Sequence, residues 1–150
     1  INYLNSADLM IGCQSGLSHL WLLGVKRLFL INMCSFWVSS PLPIDHLICC
    51  KVPYLRPGIT IPPLNRIIDL ILCDWVAPEF QEVFFLVDLT ESQILQFYIE
   101  FNSPTFQNNS VKELLSEFLC PTISRRLPIR YIPAFLFNHL YSILLECQHL

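Results

Sequence analysis

The chain has 150 residues, the length of one domain, with 9 Lys and Arg against 12 Asp and Glu, a net charge of -3, and 53% apolar against 14% charged side chains. Soluble domains carry about a quarter charged residues, so this chain has little water-facing surface of its own and is expected to lean on a partner domain or a membrane. Its 11 Phe, 3 Trp and 5 Tyr can build a sizeable core and exclude disorder, and the lack of clustered Lys and Arg excludes a nucleic-acid groove.

The opening Ile1-Asn2-Tyr3-Leu4 reads as the tail of an element already under way, with no secretory signal, so a fragment of a longer chain is expected. Residues 7–31 follow a strand, turn, helix, strand pattern. Leu9-Met10-Ile11 is a short apolar run ended by Gly12, Cys13-Gln14-Ser15-Gly16 forms the turn, and Leu17, Leu20, Trp21 and Leu23 fall near helical spacing up to Gly24. Arg27-Leu28-Phe29-Leu30-Ile31 is a continuous apolar strand of the kind that a parallel sheet covered on both faces requires. Neither long apolar stretch is a convincing membrane span: Lys26 and Arg27 interrupt residues 17–36, and residues 131–145 are short and contain Asn138 and His139.

Six of the 11 prolines (41, 43, 53, 57, 62 and 63) fall within residues 32–63, which predicts loops with brief extended pieces such as 47–52. Pro62-Pro63 introduces a helix over 64–75, and 82–87 reads as a strand. Thr90 with Gln93 and Ser110 with Glu113 are capping boxes that open helices through about Phe101 and Leu119. A basic turn with Arg125, Arg126 and Arg130, read as solvated, precedes a last helix over 133–147. No internal repeat and no low-complexity tract occurs.

Seven cysteines lack any C-x-x-C pair, which favours buried, reduced, small apolar residues over a zinc or redox centre. The Asn108-Asn109-Ser110 sequon is short enough to arise by chance. Asp45-His46 are neighbours in an extended stretch, point to opposite faces and read as a solvated loop rather than an acid/base pair. His139 and His149 have no partner at ligand spacing.

The segment from Ser6 to Leu20 carries the chemistry. A strand that turns through small residues into a helix leaves first-turn amides pointing outward, where the helix dipole favours an anion. Phosphate is the natural guest. Ser15 adds a hydroxyl donor, Gly16 has no side chain to block the backbone, and the amides of Leu17 and Ser18 complete the cradle. His19, one turn in, is placed to meet the phosphate, the ribose or the reacting sugar. The competing reading is plain packing hardware between strand and helix, and for His19 a helix-face residue bonded to a neighbour.

Ala7-Asp8-Leu9-Met10-Ile11-Gly12, then Ser15-Gly16-Leu17-Ser18-His19-Leu20, then Gly24-Val25, resembles the donor-site motif of family-nine glycosyltransferases, the lipopolysaccharide heptosyltransferase group. A looser similarity covers Leu28-Phe29-Leu30-Ile31-Asn32, the stretch from Val83 through Thr90-Glu91-Ser92-Gln93-Ile94, and Ile129-Arg130-Tyr131-Ile132-Pro133-Ala134-Phe135-Leu136. These resemble a related group of bacterial surface-polysaccharide glycosyltransferases, with a Thr-capped helix after the last sheet strand and an Arg-Ile and Phe-Leu signature in the tail.

The resemblance implies an α/β fold, a Rossmann-like parallel sheet with flanking helices, spanning residues 1–150 as one nucleotide-sugar-binding domain and forming the carboxyl-terminal half of a GT-B fold. It implies a glycosyltransferase that moves a sugar from a nucleotide-diphosphate donor to a surface glycan or lipopolysaccharide acceptor. Ser15, Gly16, Leu17, Ser18 and His19 would hold the diphosphate, without a metal or other cofactor. Gln14 would face the donor sugar, standing where the family has Asp; Gln keeps the hydrogen bonds and loses the charge. The partners implied are a nucleotide-sugar, a glycan or glycolipid acceptor and an amino-terminal domain that supplies the base, so the isolated chain is expected to be inactive. The expected location is the cytoplasm, with peripheral contact at the inner face of the cell membrane. The alternatives are a Rossmann-like binder of another phosphorylated ligand and a noncatalytic interaction module.

Overall fold

A computed structural model of the chain describes residues 7–13, 27–36, 45–106, 109–127 and 130–150. Strands β1 (Leu9–Cys13), β2 (Arg27–Met33) and β3 (Asp45–Cys50) form a parallel sheet in the order β1-β2-β3. Leu9 pairs with Arg27 and Cys13 with Ile31, while Phe29 pairs with Leu47 and Leu30 with Ile48. Strand β4 (Val52–Leu55) pairs antiparallel with β5 (Phe84–Val87) in a second, two-stranded sheet. The helices are α1 (Leu64–Leu72), α2 (Pro78–Val83), α3 (Glu91–Phe101), α4 (Val111–Ser116), α5 (Pro121–Ser124) and α6 (Ala134–Gln148). The result is a mixed α/β architecture: a small three-stranded parallel sheet with flanking helices.

The alternation of side chains along β2 divides the core between the two faces of the sheet. Leu28 and Leu30, with Ile48, face a cluster built from Ile67, Ile68 and Ile71 of α1, Leu114 of α4 and Leu136, Leu140 and Leu144 of α6. Phe29, with Leu47 and Cys49, faces Phe97 and Phe101 of α3. Phe29 meets Phe97 edge-on at 6.2 Å between ring centroids and stacks on Tyr98 at 5.8 Å. Burial on both sides is why β2 is apolar at Leu28, Phe29 and Leu30 in succession.

Beyond β3 the backbone pairing continues through single bridges. Ile48 N–H donates to the Tyr131 carbonyl at 2.7 Å, and Tyr131 bridges Ser110 in the antiparallel sense. A ladder of aromatic rings then ties the loop after β2 to α2 and β5. Phe36 packs edge-on to Trp75 at 5.0 Å, Trp75 stacks on Phe80 at 5.3 Å, and Phe80 on Phe84 at 4.8 Å. The buried indole is satisfied by donating from Nε1 to the Ile71 carbonyl at 2.9 Å.

Several expected boundaries move. The proline-rich stretch holds two true strands, β3 and β4, in place of a brief extended piece, because β3 gains its ladder from β2 rather than from its own sequence. The helix expected over 64–75 stops at Leu72, and Trp75 turns back so that its N–H reaches the Cys34 carbonyl at 2.7 Å. The strand expected over 82–87 begins at Phe84; Glu82 and Val83 belong to α2, which Pro78 opens at its first position. The helix after Ser110 ends at Ser116 rather than Leu119. Among the described residues no helix is long and apolar enough to cross a membrane.

Candidate functional site

Gln14, Ser15, Gly16, Leu17, Ser18 and His19, the expected donor-binding residues, lie outside the described residues, as do Gly24 and Val25. The described frame on either side of them is the parallel pair β1 and β2. Ligands of open parallel sheets sit beyond the carboxyl ends of the strands. Cys13, exposed, ends β1 at that edge, and Gln14 follows it in the chain.

Asn32 stands at the same edge and was not singled out in the sequence. It is an extra residue in β2: Ile31 pairs with Cys49 and Met33 with Cys50, so Asn32 is bulged out of the ladder. The bulge turns Met33 toward the α1 and α6 side together with Cys50. It also holds Asn32 at φ 52°, the left-handed region that Asn tolerates better than most residues. The amide oxygen of Asn32 is shielded from solvent and has no hydrogen-bond partner among the described residues. The only hint in sequence is a polar residue closing an apolar run.

Helix α3 runs antiparallel to β2. Arg27, at the start of β2, lies over the Phe101 ring at 3.9 Å and donates to Asn102 Oδ1 at 3.3 Å, whereas Ile31 packs against the cluster that includes Ile94. The amino end of α3 therefore sits at the carboxyl edge of the sheet. Its capping box is complete: Gln93 N–H donates to Thr90 Oγ1 at 3.3 Å, and Thr90 N–H to Gln93 Oε1 at 2.9 Å. Past β3, Lys51 meets Asp88 at 2.7 Å, and the carboxylate raises the lysine pKa and keeps it charged. Between this edge and α3, Ile11, Phe29 and Ile31 with Ile94, Leu95 and Tyr98 line an apolar trough of about 310 Å³.

The remaining candidates resolve as structure. Arg130, expected in a solvated turn, is 3% exposed, and burial lowers its pKa from the ordinary arginine value. His139 Nε2 lies 2.6 Å from the Pro53 carbonyl and its ring packs at 4.7 Å from Tyr54, so it joins α6 to β4. Asp45 and His46 open β3 rather than a loop. Ser110 of the sequon is buried, and its hydroxyl accepts from Glu113 N–H at 3.0 Å as the cap of α4.

The cysteines divide. Cys49, Cys50 and Cys147 are buried as expected, and desolvation pushes their thiols up. Cys13 and Cys120 are exposed, against the expectation of burial, because Cys13 lies on the outer strand β1 and Cys120 on the short connection before α5. Hydrogen bonds from the Thr122 amide and hydroxyl lower the Cys120 pKa. None of the seven cysteines is joined in a disulfide. Among the described residues, no group of three or more His, Cys, Asp or Glu side chains is arranged to hold a metal ion. Comparison with protein-family models, curated proteins and solved structures finds no match to the chain.

Proposed function

We propose that the chain is the carboxyl-terminal, nucleotide-sugar-binding half of a GT-B glycosyltransferase, akin to the family-nine and surface-polysaccharide groups, acting at the cytoplasmic face of the cell. The observation that carries this reading is the parallel pairing of β1 with β2 on either side of the Ser15-Gly16-Leu17-Ser18-His19 motif. Parallel neighbours need a crossover between them, and a strand that ends just before a Ser-Gly turn is the frame on which α/β proteins hold diphosphates. The capped start of α3, at the carboxyl edge, adds a second helix terminus there.

On this reading the growing charge of the leaving diphosphate is stabilised by first-turn amides, Ser15 and His19, which is the electrostatic part of the rate enhancement. Gln14 orients the donor sugar. The base that deprotonates the acceptor belongs to an amino-terminal Rossmann-like half, so this chain alone binds donor weakly and turns over nothing. Titration with nucleotide-sugars, nucleoside diphosphates and dinucleotides tests the proposal. The first two are expected to bind in preference to the third, and a preference for dinucleotides would point instead to a Rossmann-type binder of another class.

A further inference from the structure

The two edges of the β4–β5 sheet are built differently. Arg56 N–H donates to the Val83 carbonyl at 2.9 Å, which extends the ladder by one pair and sets its alternation. Counted along the register from there, Tyr54 exchanges hydrogen bonds with Phe85 and Val52 with Val87, while Pro53 and Leu86 form the non-bonded pair between them. The backbone groups of Pro53 and Leu86 therefore point outward, one set at each edge.

At the β4 edge Pro53 has no N–H to offer, and its outward carbonyl lies 2.6 Å from His139 Nε2 of α6. The β5 edge carries no such guard. Phe84 N–H is taken by the Phe80 carbonyl at the end of α2, but the outward N–H and carbonyl of Leu86 have no partner among the described residues. The strand reads Phe84-Phe85-Leu86-Val87, without a proline, a charge or a bulge, the devices that keep a sheet edge from pairing with another chain. Its outer face is open as well: Phe85 is 38% exposed and Val87 42%, and Phe85 stacks on the exposed Tyr54 at 5.6 Å.

An uncharged apolar edge is matched by an extended strand of the same kind, and β5 itself supplies one. Set antiparallel to a second β5 with Leu86 on the two-fold axis, Leu86 of each copy exchanges both hydrogen bonds with the other. Phe85 then lies opposite Val87 of the copy, and the contact withdraws exposed apolar surface from water. The acidic flank of the strand does not meet its like, because Asp88 falls opposite Phe84 and is already paired with Lys51 at 2.7 Å. Two sheets of two strands become one of four, a common size.

We propose that β5 pairs edge to edge with β5 of a second copy of this chain in a two-fold dimer, independently of whether the chain binds a nucleotide-sugar. A contact of four residues a side is small for a permanent interface, so the association is weak and reversible. Sedimentation equilibrium of the full chain from about 5 to about 500 μM is expected to show a concentration-dependent dimer. Two double variants at the exposed positions test the register: Phe85→Lys with Val87→Lys, and Phe85→Glu with Val87→Glu. Each sets like charges against its own copy and should raise the dissociation constant at least about tenfold, whereas an equimolar mixture sets Lys against Glu and should recover the dimer. In the unaltered chain, exchange of the Leu86 amide hydrogen should slow as concentration rises, which reads the same contact without a substitution. Four results would overturn the proposal: a monomer at every concentration, variants that associate as the parent does, a mixture of the two variants that stays monomeric, or Leu86 exchange that ignores concentration.

Discussion

Asn32 combines a backbone cost and a hydrogen-bonding cost at a single residue. Its φ of 52° costs little for Asn and more for a branched side chain, and its shielded amide oxygen lacks a partner among the described residues. Asn32→Gly removes both burdens and should raise the unfolding free energy by about 1 kcal/mol, whereas Asn32→Val should lower it by about 1–2 kcal/mol. Urea denaturation at neutral pH measures both. Arg130 makes the opposite point: its charge is taken into the protein beside the bridge at Tyr131, and no local pattern in the sequence marks that burial.

At the scale of elements, α3 is the piece whose sequence and structure agree most closely. Thr90 and Gln93 announce its start by local chemistry, and both bonds of the box form. Thr90→Ala should cost about 1 kcal/mol, read as a lower urea midpoint with an unchanged slope, since the loss lies at one helix end. The last helix was equally legible, because Leu136, Leu140 and Leu144 repeat at the spacing of one buried face.

What escaped reading depends on distant partners. Strand β3 exists because β2 supplies its ladder, and β4, which contains Pro53, because β5 does. The junction between α2 and β5 was hidden because a short apolar run fits either periodicity. The small residues after β1 stand out by composition and lie outside the described residues, whereas Asn32 owes its position to a bulge that only sheet register creates.

For the whole molecule, burial of thiols sets an alkaline limit. Cys49 and Cys50 are raised from the ordinary value of 9.0 by desolvation, so the folded chain keeps protons that the unfolded chain releases. Below pH 9 both states hold them and the contribution is fully present. As pH rises past that value only the unfolded state ionises, and stability falls. Between pH 8 and 10 the loss should be on the order of 1 kcal/mol per thiol. A Cys49→Ala, Cys50→Ala variant, although less stable at pH 8 through lost packing, should show a shallower decline than the parent across the same range.

On the proposed reading a diphosphate is held at the carboxyl edge of the parallel sheet, just after Cys13. Phosphorus NMR of a nucleoside diphosphate, titrated with the parent chain and with a Ser15→Ala, Gly16→Val double variant, tests it most directly. A saturable shift with the parent that the double variant abolishes is expected. An identical response from both proteins, or no response from the parent, would contradict it.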